Sequence, residues 1–118
     1  MIVVKWTGKA VSENRRLVPG KTRLQATQQY EGFINSLGWQ IRADSPWIAG
    51  IKKINLLIHV TIWKMRDKQN LLKPICDAVQ RSGLIENDRD IETIHIMPAE
   101  YHKRDELDHI WLFISEAR

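Results

Sequence analysis

The sequence predicts one α/β domain, of the α+β type, with a single mixed β-sheet and two main helices in the order βαβαββ. Its 118 residues suffice for one hydrophobic core, so we expect residues 1–118 to form one domain. Segments with alternating apolar residues, typical of strands, are interspersed with two segments whose apolar residues recur every three to four positions, typical of helices. This mixture favours helices packed on a sheet.

The first half contains one strand, a basic arm and one helix. A short β-branched strand is predicted at 2–6, and residues 7–23 are predicted to be a loop or arm. Gly38 is predicted to end the helix that follows, and 39–50 are predicted to be irregular. The apolar face of that helix consists of Ala26, Tyr30, Phe33, Ile34 and Leu37.

The second half begins with the clearest strand, INLLIHVTIW at 54–63, whose apolar residues alternate strictly. A helix with one apolar stripe follows. Pro74 must lie close to its start, with Asp67 or Asn70 as the cap, and Gly83 ends it. Two further strands are predicted at 91–97 and 107–115, paired with each other across a polar turn at 98–106.

Composition limits the classes of function. No run approaches the roughly 18 apolar residues of a membrane span, and the N-terminus lacks the layout of a signal peptide. The single cysteine, Cys76, excludes an internal disulfide and a cysteine zinc cluster. We therefore expect a cytoplasmic protein in a reducing compartment, without a membrane partner.

The charges are unevenly distributed along the chain, whose formal net charge is +4. Residues 1–23 and 42–66 are basic, whereas acidic residues are concentrated at 86–92. A basic protein with one acidic spot suits a polyanion handled through a metal, which makes nucleic acid a candidate partner. The alternative is that these charges form the solvated faces of an ordinary basic domain.

Two aspartates flank the second helix. Asp67 lies between the long strand and the helix, and Asp88 lies between the helix and the next strand. If those strands are neighbours, the strand–helix–strand unit is expected to bring both carboxylates to one edge of the sheet. Carboxylate oxygens bind Mg²⁺, which polarises a phosphodiester and lowers the pKa of an attacking water. The alternative is that Asp67 is only a helix cap and the acidic turn is only solvated.

The wider segment resembles the signature of the RusA-type Holliday junction resolvases, a family of endodeoxyribonucleases. Residues 67–79, DKQNLLKPICDAV, and residues 83–90, GLIENDRD, are similar to D-x-D-N-L-x-K-x-x-x-D-A-L and G-x-(I/W)-x-x-D-(D/A). Residues 12–15, SENR, look like the S-x-N-R stretch that begins the family's basic arm. Predicted element order and length also fit, so the resemblance covers most of the chain.

The resemblance implies a homodimeric, bacterial or phage-encoded endonuclease of DNA recombination and repair. It would use Mg²⁺, or Mn²⁺, and would resolve branched DNA, the four-way (Holliday) junction, by paired symmetric cuts. Catalytic residues carried over are Asp67, Asp88 and Lys73, with both aspartates as metal ligands. Asp77 would position Lys73 through an i,i+4 pair, unless that pair is only a surface ion pair. The implied supporting residue is Asn70, and the implied DNA-binding residues are Asn14, Arg15, Arg16, Lys21 and Arg23.

One position departs from the family pattern. Gln69 stands where the family has its second aspartate, and its amide oxygen can coordinate Mg²⁺ without adding charge. Glu86 is close enough in sequence to Asp88 to be a substitute ligand. Two alternatives therefore stay open: a catalytically weak or inactive junction-binding protein of the same fold, and a small basic interaction protein whose acidic turn is incidental.

Five tryptophans are many for this length. Three of them, Trp6, Trp63 and Trp111, fall in predicted strands and are expected in the core or a dimer interface. Trp39 and Trp47 fall outside the predicted strands and are candidates for stacking on unpaired bases.

Overall fold

The fold is built around a long central strand with two helices packed on one face of its sheet. The computed structural model describes residues 1–12, 23–45, 52–63, 67–103 and 106–117, and only the backbone of 23–27. The strands are β1 (Ile2–Gly8), β2 (Ile54–Trp63), β3 (Ile91–Ile96), β4 (Glu100–His102) and β5 (Asp108–Glu116), and the α-helices are α1 (Arg23–Asp44) and α2 (Leu72–Arg81). Short 3₁₀ turns at Lys68–Leu71 and Asp88–Asp90 flank α2 in sequence.

The sheet is mixed, as predicted. Its strands lie in the order β1-β5-β2-β3, and β4 pairs with β2 beyond the end of β3. Strand β5 is antiparallel to both of its neighbours, whereas β3 and β4 are parallel to β2. The α+β class with one mixed sheet and two helices is therefore confirmed, and β4 is an additional short strand.

One face of the sheet forms the core. Alternate residues of β1, β2 and β5 are buried, and the register sets Val4 opposite Leu112 and Leu112 opposite Ile58, which lines up the buried rows. Helix α1 contributes residues such as Ile34 and Leu37 to the same cluster, and α2 contributes others. No helix within the described ranges is long and apolar enough to cross a membrane.

The predicted pairing of the last two long strands is wrong. Strand β5 lies between β1 and β2, whereas β3 pairs with β2 at the other side. Strand β5 requires a central position because it buries a row of three side chains, Ile110, Leu112 and Ile114. By contrast, residues 92–95 of β3 are all exposed. A strand that buries so little is suited to an edge. The segment 98–106, expected to be a turn, contains β4.

The boundaries of the first helix also differ from the prediction. Gly38 does not end α1, which continues to Asp44, so the predicted irregular segment begins too early. The helical stripe continues because Ile41, four residues after Leu37, is fully buried. At Gly38 the two helices come close, since a Cβ there would lie 3.3 Å from the carbonyl oxygen of Ala78. The predicted arm at 7–23 is likewise shorter, because β1 reaches Gly8 and α1 begins at Arg23.

Candidate functional site

Asp67 organises the entrance to α2. Its Oδ1 accepts a hydrogen bond of 2.9 Å from the backbone N–H of Gln69, and its carbonyl oxygen accepts one of 3.1 Å from the N–H of Asn70. Asp67 is thus the cap of the 3₁₀ turn that leads into the helix. The residue is exposed, and Oδ2 has no hydrogen-bond partner among the described residues. Capping therefore uses one carboxylate oxygen and leaves the other accessible.

Lys73 and Asp77 form the i,i+4 pair expected from the sequence. The Nζ atom of Lys73 lies 3.7 Å from Oδ2 of Asp77, and the Lys73 side chain is about half exposed. The hydroxyl of Tyr30 in α1 donates a hydrogen bond of 3.3 Å to the same oxygen. Because Asp77 is held from a second helix, its carboxylate offers Lys73 a fixed partner rather than a freely rotating one.

The segment after α2 folds back along the helix. Gly83 has a φ of +85°, a conformation that favours glycine, and there the chain reverses. Nε2 of Gln80 then donates a hydrogen bond of 3.3 Å to the carbonyl oxygen of Glu86. Asn87 and Asp90 form a reciprocal capping box, in which the Asn87 N–H donates to Oδ2 of Asp90 at 3.1 Å and Oδ1 of Asn87 accepts from the Arg89 N–H at 3.2 Å.

Asp88 lies inside that capping box but does not take part in it. Its side chain is exposed, and its carboxylate has no hydrogen-bond partner in the described part of the chain. Burial, together with the negative charges of Asp77 and Asp88, raises the pKa of the Cys76 thiol to about 11, against the opposing charge of Lys73. The negative charge of Asp88 therefore acts on Cys76, in the middle of α2.

The sheet does not bring Asp67 and Asp88 to one edge in the expected way. Strands β2 and β3 are neighbours, but they are parallel and Ile54 faces Ile91. Asp88 comes just before β3 and therefore belongs to the edge of the sheet where β2 and β3 start. Asp67 follows the end of β2 and therefore belongs to the opposite edge. What directs Asp88 toward the first half of α2 is the return segment, which runs antiparallel to that helix.

The oxygen donors of this region are those that Mg²⁺ prefers. Asp67 and Asp88 present exposed carboxylates, and Gln69, also exposed, offers an amide oxygen. No group of three or more His, Cys, Asp or Glu side chains in the described ranges is arranged to hold a metal ion. Glu86 is exposed, and its role as a substitute ligand stays a prediction. The donor types are ones that Mg²⁺ accepts, but no contact within the described ranges joins Asp67 and Gln69 to Asp88.

Most of the residues implied to bind DNA are not among the described ones. Asn14, Arg15, Arg16 and Lys21 lie outside the described residues, and of Arg23 only the backbone, the first residue of α1, is described. The basic arm therefore stays a prediction.

Sequence reasoning missed a buried polar cluster at the far end of the sheet. Nε2 of His102 lies 2.7 Å from Oδ1 of Asp108, and the two side chains are 5% and 4% exposed. Oδ2 of Asp108 accepts a hydrogen bond of 2.8 Å from the Ala10 N–H. Burial opposes protonation of His102, but hydrogen bonds to Asp108 and to the carbonyl of Lys103, with the charges of Asp108 and Glu106, raise its pKa above the ordinary value. His102 and Asp108 are distant from any predicted motif, so only their contact reveals the pair.

Tyr30 was missed for a different reason. Its helical spacing correctly predicted a core position, since only 5% of the residue is exposed. The hydroxyl nevertheless reaches Asp77. A tyrosine instead of phenylalanine in an apolar stripe was the available sign of a buried polar partner.

No protein-family model matches the chain, and no curated protein matches it.

Proposed function

We propose that this chain is a Mg²⁺-dependent, structure-selective DNA endonuclease that resolves four-way junctions by paired cuts, in the manner of the RusA-type family that its sequence resembles. One observation carries the proposal. Lys73 and Asp77 of the motif around α2 form an ion pair, and the negative charge of Asp88 acts on Cys76 of the same helix. A cation and acidic groups so arranged suit a phosphodiester and the metal that accompanies it.

Lys73 is the residue that we assign to the phosphate. Its ammonium group, half exposed and 3.7 Å from Asp77, can donate to a phosphate oxygen without leaving that carboxylate. Asp77, fixed by the Tyr30 hydroxyl, is a positioning residue for Lys73. A preorganised positive charge stabilises the negative charge that develops on the phosphate during cleavage.

Asp67 and Asp88 are the residues that would hold Mg²⁺, with Gln69 as a neutral third donor. When bound, the ion would polarise the phosphodiester and lower the pKa of the attacking water. Asp88 is free for this task because Asp90, and not Asp88, supplies the carboxylate of the capping box. The two aspartates of this short turn thus have separable roles.

A labelled four-way junction, incubated with and without Mg²⁺, tests the proposal. We expect Mg²⁺-dependent cleavage by the natural chain, its loss in Asp88→Asn, and junction binding within a few-fold of normal in that variant, since removing a negative charge does not weaken contact with phosphate. Asp90→Asn is the matched control, because it makes the same change two residues away and is expected to retain cleavage. Cleavage by Asp88→Asn at the normal rate would exclude Asp88 from the mechanism.

Symmetric cutting further requires two active sites related by a two-fold axis, so we propose that the working unit is a homodimer. Sedimentation at micromolar concentration is expected to show a dimer. A monomer, both alone and with a junction, would contradict the resolvase assignment itself.

Gln69 favours a second candidate function, a junction-binding protein of the same fold that cleaves weakly or not at all. A neutral oxygen contributes less to the affinity for Mg²⁺ than a carboxylate does. Tight, junction-selective binding without cleavage at any Mg²⁺ concentration would identify this function. Equal affinity for branched DNA and plain duplex would instead identify a basic interaction protein.

A further inference from the structure

A hollow lies where α1 and α2 cross, at the carboxyl end of α2. Its volume is about 140 Å³, so it can enclose only part of a ligand and leaves the rest on the open surface. Six residues line this helix-pair hollow: Asn35, Gly38, Trp39, Arg42, Arg81 and Ser82. Ser82 belongs to its buried base, since its hydroxyl donates to the carbonyl oxygen of Val79 at 2.6 Å.

Two guanidinium groups give the helix-pair hollow its positive charge. Nη1 of Arg81 is fixed by Glu31 and by Oδ1 of Asn35, the latter at 3.1 Å. Both contacts use the same nitrogen, so Nη2 and Nε keep their donors for a further acceptor. Arg42 forms no ion pair with any residue that the structure describes. The helix-pair hollow is therefore lined by one guanidinium that is oriented by its neighbours and one that has no ion-pair partner among the described residues.

Trp39 adds an aromatic surface to the helix-pair hollow. It is 71% exposed, far more than the other large apolar residues described in α1, and it follows directly after the glycine at which the helices cross. An exposed indole makes no contribution to the core, and beside two arginines it provides what an unpaired nucleotide requires: a face for the base and donors for the phosphate.

We propose that the helix-pair hollow binds an unpaired nucleotide of a DNA strand, with its base stacked on Trp39 and its phosphate at Arg42 and Arg81. The proposal rests on the proposed function only in taking DNA as the polymer. Binding is measured here without metal, so that failure of this site and failure of cleavage can be told apart. An acidic peptide would satisfy the arginines but would leave the indole without a partner, which is why a nucleotide is favoured.

The experiment measures fluorescence anisotropy of labelled dT20 without Mg²⁺, using substitutions that separate stacking from bulk. Loss of one stacked base is worth about five-fold or more in affinity, so Trp39→Leu is expected to weaken binding by at least that factor. Trp39→Phe keeps an aromatic face and is expected to stay within about three-fold of the natural chain. Arg42→Gln is expected to flatten the dependence of log K on log salt by about one unit.

The chain offers a matched control on the opposite face of the sheet. Trp111 is 37% exposed there, with Nζ of Lys5 4.5 Å from its ring centroid. Trp111→Leu and Lys5→Gln repeat the same chemical changes outside the hollow, and both are expected to leave dT20 binding and its salt dependence unaltered. Unchanged affinity in Trp39→Leu, or an equal loss in Trp111→Leu, would overturn the proposal.

Three further ligands identify the source of the nucleotide. A 20-base-pair duplex hides its base faces, so its affinity is expected to be insensitive to Trp39→Leu. Free thymidine monophosphate is expected to bind far more weakly than dT20, and equal binding would overturn the assignment to a strand. If a poly-glutamate peptide binds as tightly as dT20, and Trp39→Leu weakens neither, the recess takes an acidic chain and the proposal is wrong.

Discussion

Removing the carboxylate of Asp108 is expected to destabilise the fold by about 2–4 kcal/mol. Asp108→Ala removes an acceptor from two buried donors, the Ala10 N–H and Nε2 of His102. Loss of the acceptor of a buried donor costs about 1–3 kcal/mol, and these two donors belong to separate segments, the residues after β1 and strand β4. Urea unfolding followed by circular dichroism measures the change, with Asp44→Ala, an exposed aspartate, as a control expected to stay within about 0.5 kcal/mol.

The cost of Asp108→Ala is also expected to depend on pH, with a fixed sign. The pKa of His102 is raised in the folded chain, so the extra stability that comes from its protonation is fully present below its unfolded value of 6.5. That stability is lost as the pH rises through the folded pKa. Asp108→Ala must therefore be more harmful at pH 6 than at pH 9. If Asp108→Ala lowers the free energy of unfolding equally at both pH values, or by less than about 1 kcal/mol, His102 and Asp108 do not form a charged buried pair.

Four further outcomes are expected. Gln69→Asp adds a charge beside the proposed ligands and should lower the Mg²⁺ concentration for half-maximal junction cleavage; an unchanged requirement would remove residue 69 from the site. Replacing Arg15 and Arg16 with Ala should weaken junction binding and flatten its salt dependence by about one to two units, measured by titration at several salt concentrations. Cys76, with a pKa of about 11, should react with iodoacetamide at pH 8 far more slowly than free cysteine. Gly83→Ala forces a side chain into a left-handed φ and should cost about 1–2 kcal/mol in urea unfolding.

The strand and helix types follow from periodicity, whereas strand pairing does not. The alternation at 54–63 predicted β2 with its exact limits, because burial of every second residue is a local property of the sequence. Whether 91–96 pairs with β5 or with β2 depends on which strands bury a whole row of side chains against the helices. That is decided by the packed sheet, in which the middle of β3 is exposed and lies at an edge.

The end of α1 illustrates a second limit. Glycine usually marks a helix end because it loses more conformational entropy than alanine in a helix. At Gly38 the lack of a side chain serves the close approach of α2 instead, and buried Ile41 stabilises the additional turns. Only the position of the second helix distinguishes these two uses of glycine.

The candidate site was predictable in its local contacts and not in its assembly. The Asp67 cap and the Lys73–Asp77 pair follow from offsets of two and four residues, which helical geometry fixes. The approach of Asp88 to α2 depends on a reversal at Gly83 and on a contact between Gln80 and Glu86, neither of which has a spacing rule.

Helix α2 connects the proposed cleavage site with the helix-pair hollow. Lys73 and Arg81 are eight residues apart, which corresponds to about 12 Å along the helix axis, or three to four nucleotides of a DNA strand. The length of this interval would allow one strand to have a phosphate at Lys73 and a base at Trp39. If both proposals hold, Trp39 contributes binding that is the same before and during cleavage, so Trp39→Leu should raise KM for a junction and leave kcat unaltered. Lys73→Gln should instead lower kcat, because its charge acts on the transition state. A fall in kcat for Trp39→Leu would show that the hollow takes part in chemistry, and an unchanged KM would show that the cleaved strand does not reach it.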